Sequence, residues 1–423
     1  MERRNFLKLC GGAGLALMTP AWMQGARAQA REANAGGPFW LFFHAGGGWD
    51  PTSLCDPKGA ARAEDPDAMN HYLAADIETA GNLRYAPVAE NAAFFQKHYR
   101  RLMVINGLDT QTNSHDAGTR HVWSGKLAEG YPSLAALIAA TVAEERPMAF
   151  ISNGGYDYTA GLIAPTRTGN IGVLNRIAFP NRIDGEPDGT PFHTDTTWAR
   201  INKYQEQRQP YLTGAVNLPK AQNSVSQLFV ARMGQNEVKR LSEYLPETFE
   251  QDELKRQAQV AIAGFKAGIS QAANLSTGGF DTHGNHDDSH FPRLQTLMAG
   301  VDFAWSEAER QGVADNLIIV VGSDFGRTPG YNSGNGKDHW SISSMLLMGK
   351  GIPGNRVVGV TDERHSPLPL DPKTLKPVAS GGIRIEPRHV HYHLRKMAGL
   401  AGDPNADQTF PLLGTEDLPL FKA

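Results

Sequence analysis

The sequence predicts an α/β protein with a doubly wound, mostly parallel sheet and helices on both faces. Three observations predict it. Continuous apolar runs bounded by glycine recur along the chain, the pattern of strands buried on both faces of a parallel sheet. Helical spacing precedes one of these runs, the helix-then-strand order of βαβ units. Polar clusters stand next to several of them, where an open parallel sheet binds ligands beyond the carboxyl ends of its strands.

The first run is Phe39-Trp40-Leu41-Phe42-Phe43, followed by Gly46-Gly47-Gly48-Trp49-Asp50. The second is Leu102-Met103-Val104-Ile105, ended by Asn106-Gly107. The third is Leu317-Ile318-Ile319-Val320-Val321, ended by Gly322-Ser323-Asp324. Ser344-Met345-Leu346-Leu347-Met348 is a fourth candidate, and Val357-Val358-Gly359-Val360 a weaker fifth. Phe291, Leu294, Leu297, Met298, Val301 and Trp305 fall at helical spacing and lead into the Leu317 run. The charged stretch from Glu237 to Lys266 reads as helix broken near Pro246. From Ile151 to Pro219 the chain is rich in Gly, Pro, Thr and Asn, so 151–250 reads as an irregular insertion or cap. It belongs to a single domain over 31–423.

The first thirty residues read as a targeting segment. Arg3 and Arg4 precede Asn5-Phe6-Leu7-Lys8, a modest apolar stretch runs from Leu9 to Met18, and Ala28-Gln29-Ala30 is a small-residue exit. This is the form of a twin-arginine signal peptide, too short to remain as a stable membrane anchor. It predicts the twin-arginine translocase as a partner and a periplasmic or secreted protein. Removing it leaves Cys55 alone, so the mature chain has no intrachain disulfide and depends on its core. A net charge of -3 carries no basic excess, which argues against nucleic acid as a partner.

The chemistry lies in four clusters. They are Asp50; Gly278-Gly279-Phe280-Asp281-Thr282-His283-Gly284-Asn285-His286; Ser323-Asp324-Phe325-Gly326-Arg327-Thr328; and Gly336-Lys337-Asp338-His339. Asp50, Asp281, His283, Asp324 and His339 are candidate ligands for one or two divalent cations. Carboxylates neutralise a cation, neutral imidazoles hold a borderline metal, and a metal pair stabilises attacking and leaving oxygens. A lone Asp after a strand is commonly a turn or a cap. Asp-Thr-His between glycines is less easily explained that way. Arg327 is a candidate bidentate clamp for an oxyanion, its competing role being a surface ion pair.

Asp109-Thr110-Gln111-Thr112-Asn113-Ser114-His115 follows the second run and leads into a short helix reaching Trp123. Ser114 would stand at that helix's N-terminus, where backbone N–H groups attract an anion. It is the candidate nucleophile, or else a helix cap. Thr110 and Thr112 are rivals, and His115 is a general acid, a ligand or a packed side chain.

These motifs resemble those of the exported bacterial family catalogued as domain of unknown function 1501, in the alkaline-phosphatase/sulfatase superfamily. The resemblance is carried by Gly278 to His283, Ser323 to Thr328, Asp338-His339 and Ser114-His115, and the leader is typical of the family. It is strong from Ser276 to Gly351, thinner from Phe39 to Gly125, and not visible from Ile151 to Pro219. It implies an alkaline-phosphatase-like fold with a metal-dependent hydrolase site. Asp281, His283 and His339 resemble the ligands of one metal, Asp50 and Asp324 resemble strand-end metal carboxylates, and Ser114 matches the nucleophile. Zinc, manganese or calcium would be the ion, and a small-molecule or polysaccharide ester of phosphate or sulfate the substrate.

Three departures qualify this. Asp281 and His283 are two apart, where the phosphatases place Asp and His four apart. Phe325 follows Asp324 where those enzymes have a ligating His. The sulfatase motif Cys/Ser-x-Pro-x-Arg is absent; Cys55-Asp56-Pro57-Lys58-Gly59 comes closest, with Gly59 in place of Arg. A non-catalytic exported protein with a degenerate metal site is therefore the alternative. A carbohydrate-binding role would draw only on Trp40, Trp49 and Trp123, which also suit a core.

Overall fold

The computed structural model describes residues 38–422, apart from 66, 145, 170–175, 177, 184–187, 216–220, 222–224 and 226–234. The expected signal peptide lies outside the described residues. In chain order the first strands are β1 (Phe39–Ala45), β2 (Glu78–Ala80), β3 (Leu83–Tyr85), β4 (Leu102–Asp109), β5 (Phe150–Ser152) and β6 (Thr166–Arg167). They are followed by β7 (Ala272–Thr277), β8 (Leu317–Ser323), β9 (Gly326–Arg327), β10 (His339–Trp340), β11 (Ile342–Gly349) and β12 (Arg356–Val358). The helices are α1 (Asn91–His98), α2 (His115–Ser124), α3 (Leu134–Val142), α4 (Asp195–Ala215), α5 (Gln235–Ser242), α6 (Glu253–Lys266), α7 (His286–Gln311) and α8 (Pro387–Met397). Among the described residues no helix is long and apolar enough to cross a membrane.

All five apolar runs are strands: β1, β4, β8, β11 and β12. With β5, β6 and β7 they form one eight-stranded sheet in the order β12-β4-β11-β8-β1-β7-β5-β6. Every pairing is parallel except those of β11, which runs against both β4 and β8. The stretch from Glu237 to Lys266 resolves into α5 and α6, with Pro246 in the gap between them. Helix α7 contains the predicted apolar spacing and ends at Gly312, whose φ of 71° gives the left-handed cap that glycine accepts without strain.

The central strand shows why the sheet is covered on both sides. Phe39, Leu41 and Phe43 pack into one core with Phe94 and Phe95 of α1, Val260 of α6, and Leu297 and Val301 of α7. Trp40 and Phe42, pointing the other way, pack with Val122 and Trp123 of α2, Leu137 of α3, and Val390 and Leu394 of α8. Each such side chain, fully buried, contributes about 1.5–3 kcal/mol. Trp40 and Trp49 are completely buried and Trp123 is 5% exposed, so none of them forms a sugar-binding platform.

The topology gathers the polar clusters at one edge. β1, β4, β7 and β8 are mutually parallel, so the segments that follow them (Gly46–Asp50, Thr110–His115, Gly278–His283 and Asp324–Arg327) emerge side by side. Because β11 is antiparallel, the segment that precedes it, Lys337–Trp340, arrives at the same edge.

Candidate metal centre

Asp281 is the hub. The Arg327 guanidinium donates to its Oδ1 at 2.7 Å, and the carboxylate is 46% exposed at the mouth of the site. Partial burial alone would raise its pKa. The hydrogen bond from Arg327, with the Arg327 charge, instead brings it down to about 2. The carboxylate is thus held ionised.

Three imidazoles face it, and their outer nitrogens fix their tautomers. His339 Nδ1 lies 2.8 Å from the Asn113 carbonyl, His283 Nδ1 lies 2.6 Å from Asp338 Oδ1, and His115 Nδ1 lies 2.6 Å from Asp324 Oδ2. Each acceptor calls for a donated Nδ1–H, which leaves Nε2 bare in the neutral ring. His283 Nε2 and His339 Nε2 are each 3.0 Å from Asp281 Oδ1 and 3.0 Å from one another. His115 Nε2 is 3.5 Å from Asp281 Oδ2. Ligand atoms of His115, Asp281 and His339 all lie within 4.8 Å of one another. Bare imidazole nitrogens converging on a carboxylate, each backed by a carboxylate or carbonyl at Nδ1, are donors that could hold a borderline divalent metal.

Local structure puts these groups there. β9 and β10 form a two-residue antiparallel ribbon that sets His339 opposite Arg327. The loop before β10 closes over His283 so tightly that a Cβ on Gly336 would stand 1.9 Å from the His283 carbonyl. Asn332 donates to both the His283 carbonyl, at 3.0 Å, and Asp338 Oδ1, at 3.2 Å. Phe325, fully buried, packs its ring 4.9 Å from that of His115 and 4.6 Å from that of His339. Gly48, at φ +86°, makes room for that ring, since a Cβ there would meet it at 2.5 Å.

Asp324 stands behind His115 rather than beside Asp281. Its Oδ2 also accepts the Gly47 N–H at 3.1 Å, and its Oδ1 faces His44 Nε2 at 3.3 Å. Trp123 Nε1 donates to His44 Nδ1 at 2.9 Å, so the His44 proton sits on Nε2, toward Asp324. Burial lowers the His44 pKa although Asp324 opposes this, and the ring is neutral. Trp123, His44, Asp324 and His115 make one ordered chain from the core to the site.

Two expected members are elsewhere or otherwise engaged. Asp50 is completely buried and turned to Lys337, whose Nζ lies 2.6 Å from its Oδ2, to the Thr52 N–H and hydroxyl at 2.9 and 2.6 Å, and to the Ser53 hydroxyl at 3.1 Å. Its own N–H donates to His290 Nε2. The oxyanion clamp expected of Arg327 is corrected by its surroundings. The guanidinium is fully buried and donates to the carbonyls of Gly48, Lys337 and Gly47 as well as to Asp281, leaving no face for a substrate. Arg327 positions Asp281 and the glycine loop.

At the start of α2, Ser114 is exposed in the capping position but its side chain makes no capping hydrogen bond. Its backbone N–H donates to Thr112 Oγ1 at 3.1 Å. Thr110 is buried and its hydroxyl faces the carbonyls of Thr112 and Ser341. Of the three hydroxyls only that of Ser114 is uncommitted, flanked by His115 and by the Asn113 carbonyl that orients His339.

Sequence reasoning did not assign Asp338, Lys337, His44 or the Asn113 carbonyl. Asp338 and Lys337 adjoin His339 in the same run, a usable signal. Nothing local marks His44, at the end of an apolar strand, or Asn70 and His290 around Asp50.

Fold and site together define a doubly wound α/β protein with a histidine–aspartate centre at the carboxyl edge of its sheet. The chain belongs to the family described as Protein of unknown function (DUF1501), whose model matches residues 40–368. A search of curated proteins gives no match. Among solved structures, the chain is similar to Ps i-CgsB, at 10% identity and a TM-score of 0.41, covering 90% of this chain and 76% of that one. It is also similar to a putative sulfatase from Bacteroides thetaiotaomicron, at 11% identity and a TM-score of 0.34, covering 86% and 71%. A third likeness is to alkaline phosphatase from the Antarctic bacterium TAB5, at 11% identity and a TM-score of 0.33, covering 75% and 94%.

Proposed function

We propose that the protein is an exported hydrolase of phosphate or sulfate esters that works with a divalent metal held by Asp281, His283 and His339. The observation that carries this reading is the 3.0 Å triangle of Asp281 Oδ1, His283 Nε2 and His339 Nε2, with both Nδ1 atoms tied back. Three protein ligands leave a position for substrate, as in catalytic rather than structural sites. The ion would stabilise charge on the ester oxygens during displacement.

Ser114 is the nucleophile in this reading. His115, oriented by Asp324, takes the Ser114 proton as the Ser114 Oγ bond to phosphorus or sulfur forms and the bond to the ester oxygen breaks. The protonated His115 then returns the proton to the leaving alkoxide, and water releases the acid from Ser114. Cys55 is buried, with its thiol against Asn106, and so is no substitute nucleophile; this favours phosphate esters over sulfates.

Metal analysis of the purified mature protein tests the reading. Wild type is expected to hold a divalent ion that Asp281→Ala and His339→Ala lose, and a metal-free wild type would sink the proposal. Asp338→Ala is expected to weaken metal affinity about 10–100-fold, because His283 loses the acceptor that orients it. His115→Gln separates ligand from base: metal retained with turnover lost supports the base, and metal lost removes it. On a panel of aryl phosphates, diesters and sulfates, Asp324→Ala is expected to abolish turnover. Metal bound without turnover on any of these esters would favour the non-catalytic reading, in which Phe325 marks a reduced site.

A further inference from the structure

We infer that the Lys337 ammonium occupies the cation position at Asp50, so that Asp50 takes no second metal ion. The inference rests on the metal reading of Asp281 for the one ion, and on the surroundings of Asp50 for the absence of the other.

Asp50 and Lys337 are both completely buried. Lys337 Nζ stands 2.6 Å from Asp50 Oδ2, 2.7 Å from Asn70 Oδ1 and 3.5 Å from Thr52 Oγ1. All three are oxygens, the ligand type of a hard cation. The Asn70 amide is oriented to present its oxygen, because its nitrogen donates to Thr52 Oγ1 and to the Lys58 carbonyl. The Tyr331 ring lies 5.0 Å from Nζ and completes the surroundings with a π face that also suits a cation. Two of the short contacts are ordinary charge-assisted N–H···O lengths, so the ammonium matches the oxygens it meets.

Other groups agree with this arrangement. Burial alone would raise the Asp50 carboxyl; the Lys337 charge, with His286 beside it, brings it well below the usual range. His286 Nε2 is 3.3 Å from Asp50 Oδ2, and burial lowers the pKa of both His286 and His290. Lys337 is thus the cation that answers the Asp50 charge. The pair also anchors the segment that carries Asp338 and His339, since the Lys337 N–H donates to the Thr282 carbonyl at 3.0 Å and its carbonyl accepts from Arg327 at 2.9 Å. Lys337 touches no reacting group and is a positioning residue. Phe325, which cannot ligate, fits the same mononuclear design.

Metal stoichiometry tests this. Wild type and Lys337→Ala are loaded with excess Zn²⁺ or, in parallel, Mn²⁺, freed of unbound metal, and assayed for ions per chain and for thermal unfolding across metal concentrations. Wild type is expected to hold one ion per chain and Lys337→Ala two, with an unfolding midpoint that keeps rising after the wild-type value has levelled. Two ions in wild type, or no gain in folded Lys337→Ala, overturns the inference. If Lys337→Ala does not fold, the neutral pair Asp50→Asn/Lys337→Met decides, because it must keep its single ion; losing that ion would make Asp50 a ligand. A wild type without any ion fails the Asp281 reading alone, and Lys337→Ala must then still gain one.

Discussion

Asp50→Ala is expected to destabilise the protein by about 3–5 kcal/mol, measured by denaturant unfolding. The substitution removes the one carboxylate that, among the described residues, pairs with the completely buried Lys337 ammonium, leaving Asn70 and Thr52 oxygens beside it. It also removes the acceptor of the Thr52 hydroxyl and N–H, and one of the two acceptors that face the Ser53 hydroxyl. A buried charge left unpaired is among the few single changes of this size. Asp50→Asn, which keeps the shape and part of the hydrogen bonding, should cost less. A loss under about 1 kcal/mol for Asp50→Ala would place Lys337 in water and contradict the burial described.

Ser114→Ala is expected to lower kcat about 10⁴-fold or more on any ester the protein turns over, with metal content unchanged. Its hydroxyl is exposed and caps nothing, so folding stability should move little. Thr112→Ala serves as the comparison, because the Thr112 oxygen only accepts the Ser114 N–H and that variant should retain turnover. If Ser114→Ala keeps wild-type kcat while metal remains bound, the nucleophile is misassigned.

Much of the fold was legible because its strands are continuous apolar runs, which a two-faced sheet demands. β7 was not, since Ala272-Ala273-Asn274 lacks bulk and draws its burial from the neighbours β1 and β5. Asp281 and His283 could be read from a short motif whose glycines permit close backbone approach. Arg327 misled, because an arginine just past a strand looks the same whether it meets a ligand or four acceptors inside the protein; only the folded loop Gly47–Gly48 decides. The surroundings of Asp50 were illegible for a related reason. Its partner Lys337 stands at the far end of the chain from it, and the pairing arises from the antiparallel course of β11, which no local pattern announces.

The order of strands carries a consequence for how the chain matures. Trp40 of β1 pairs with Ala272 on one side and Ile318 on the other, so the most aromatic strand is synthesised long before either neighbour. During translation its two hydrogen-bonding edges and both apolar faces wait unpaired, a window in which misassociation competes with folding. Such distant pairings also make assembly slow. Asp281, His283 and His339 meet only after β7, β8 and β10 have taken their places around β1. The proposed metal site is therefore a property of the completed fold and not of the growing chain.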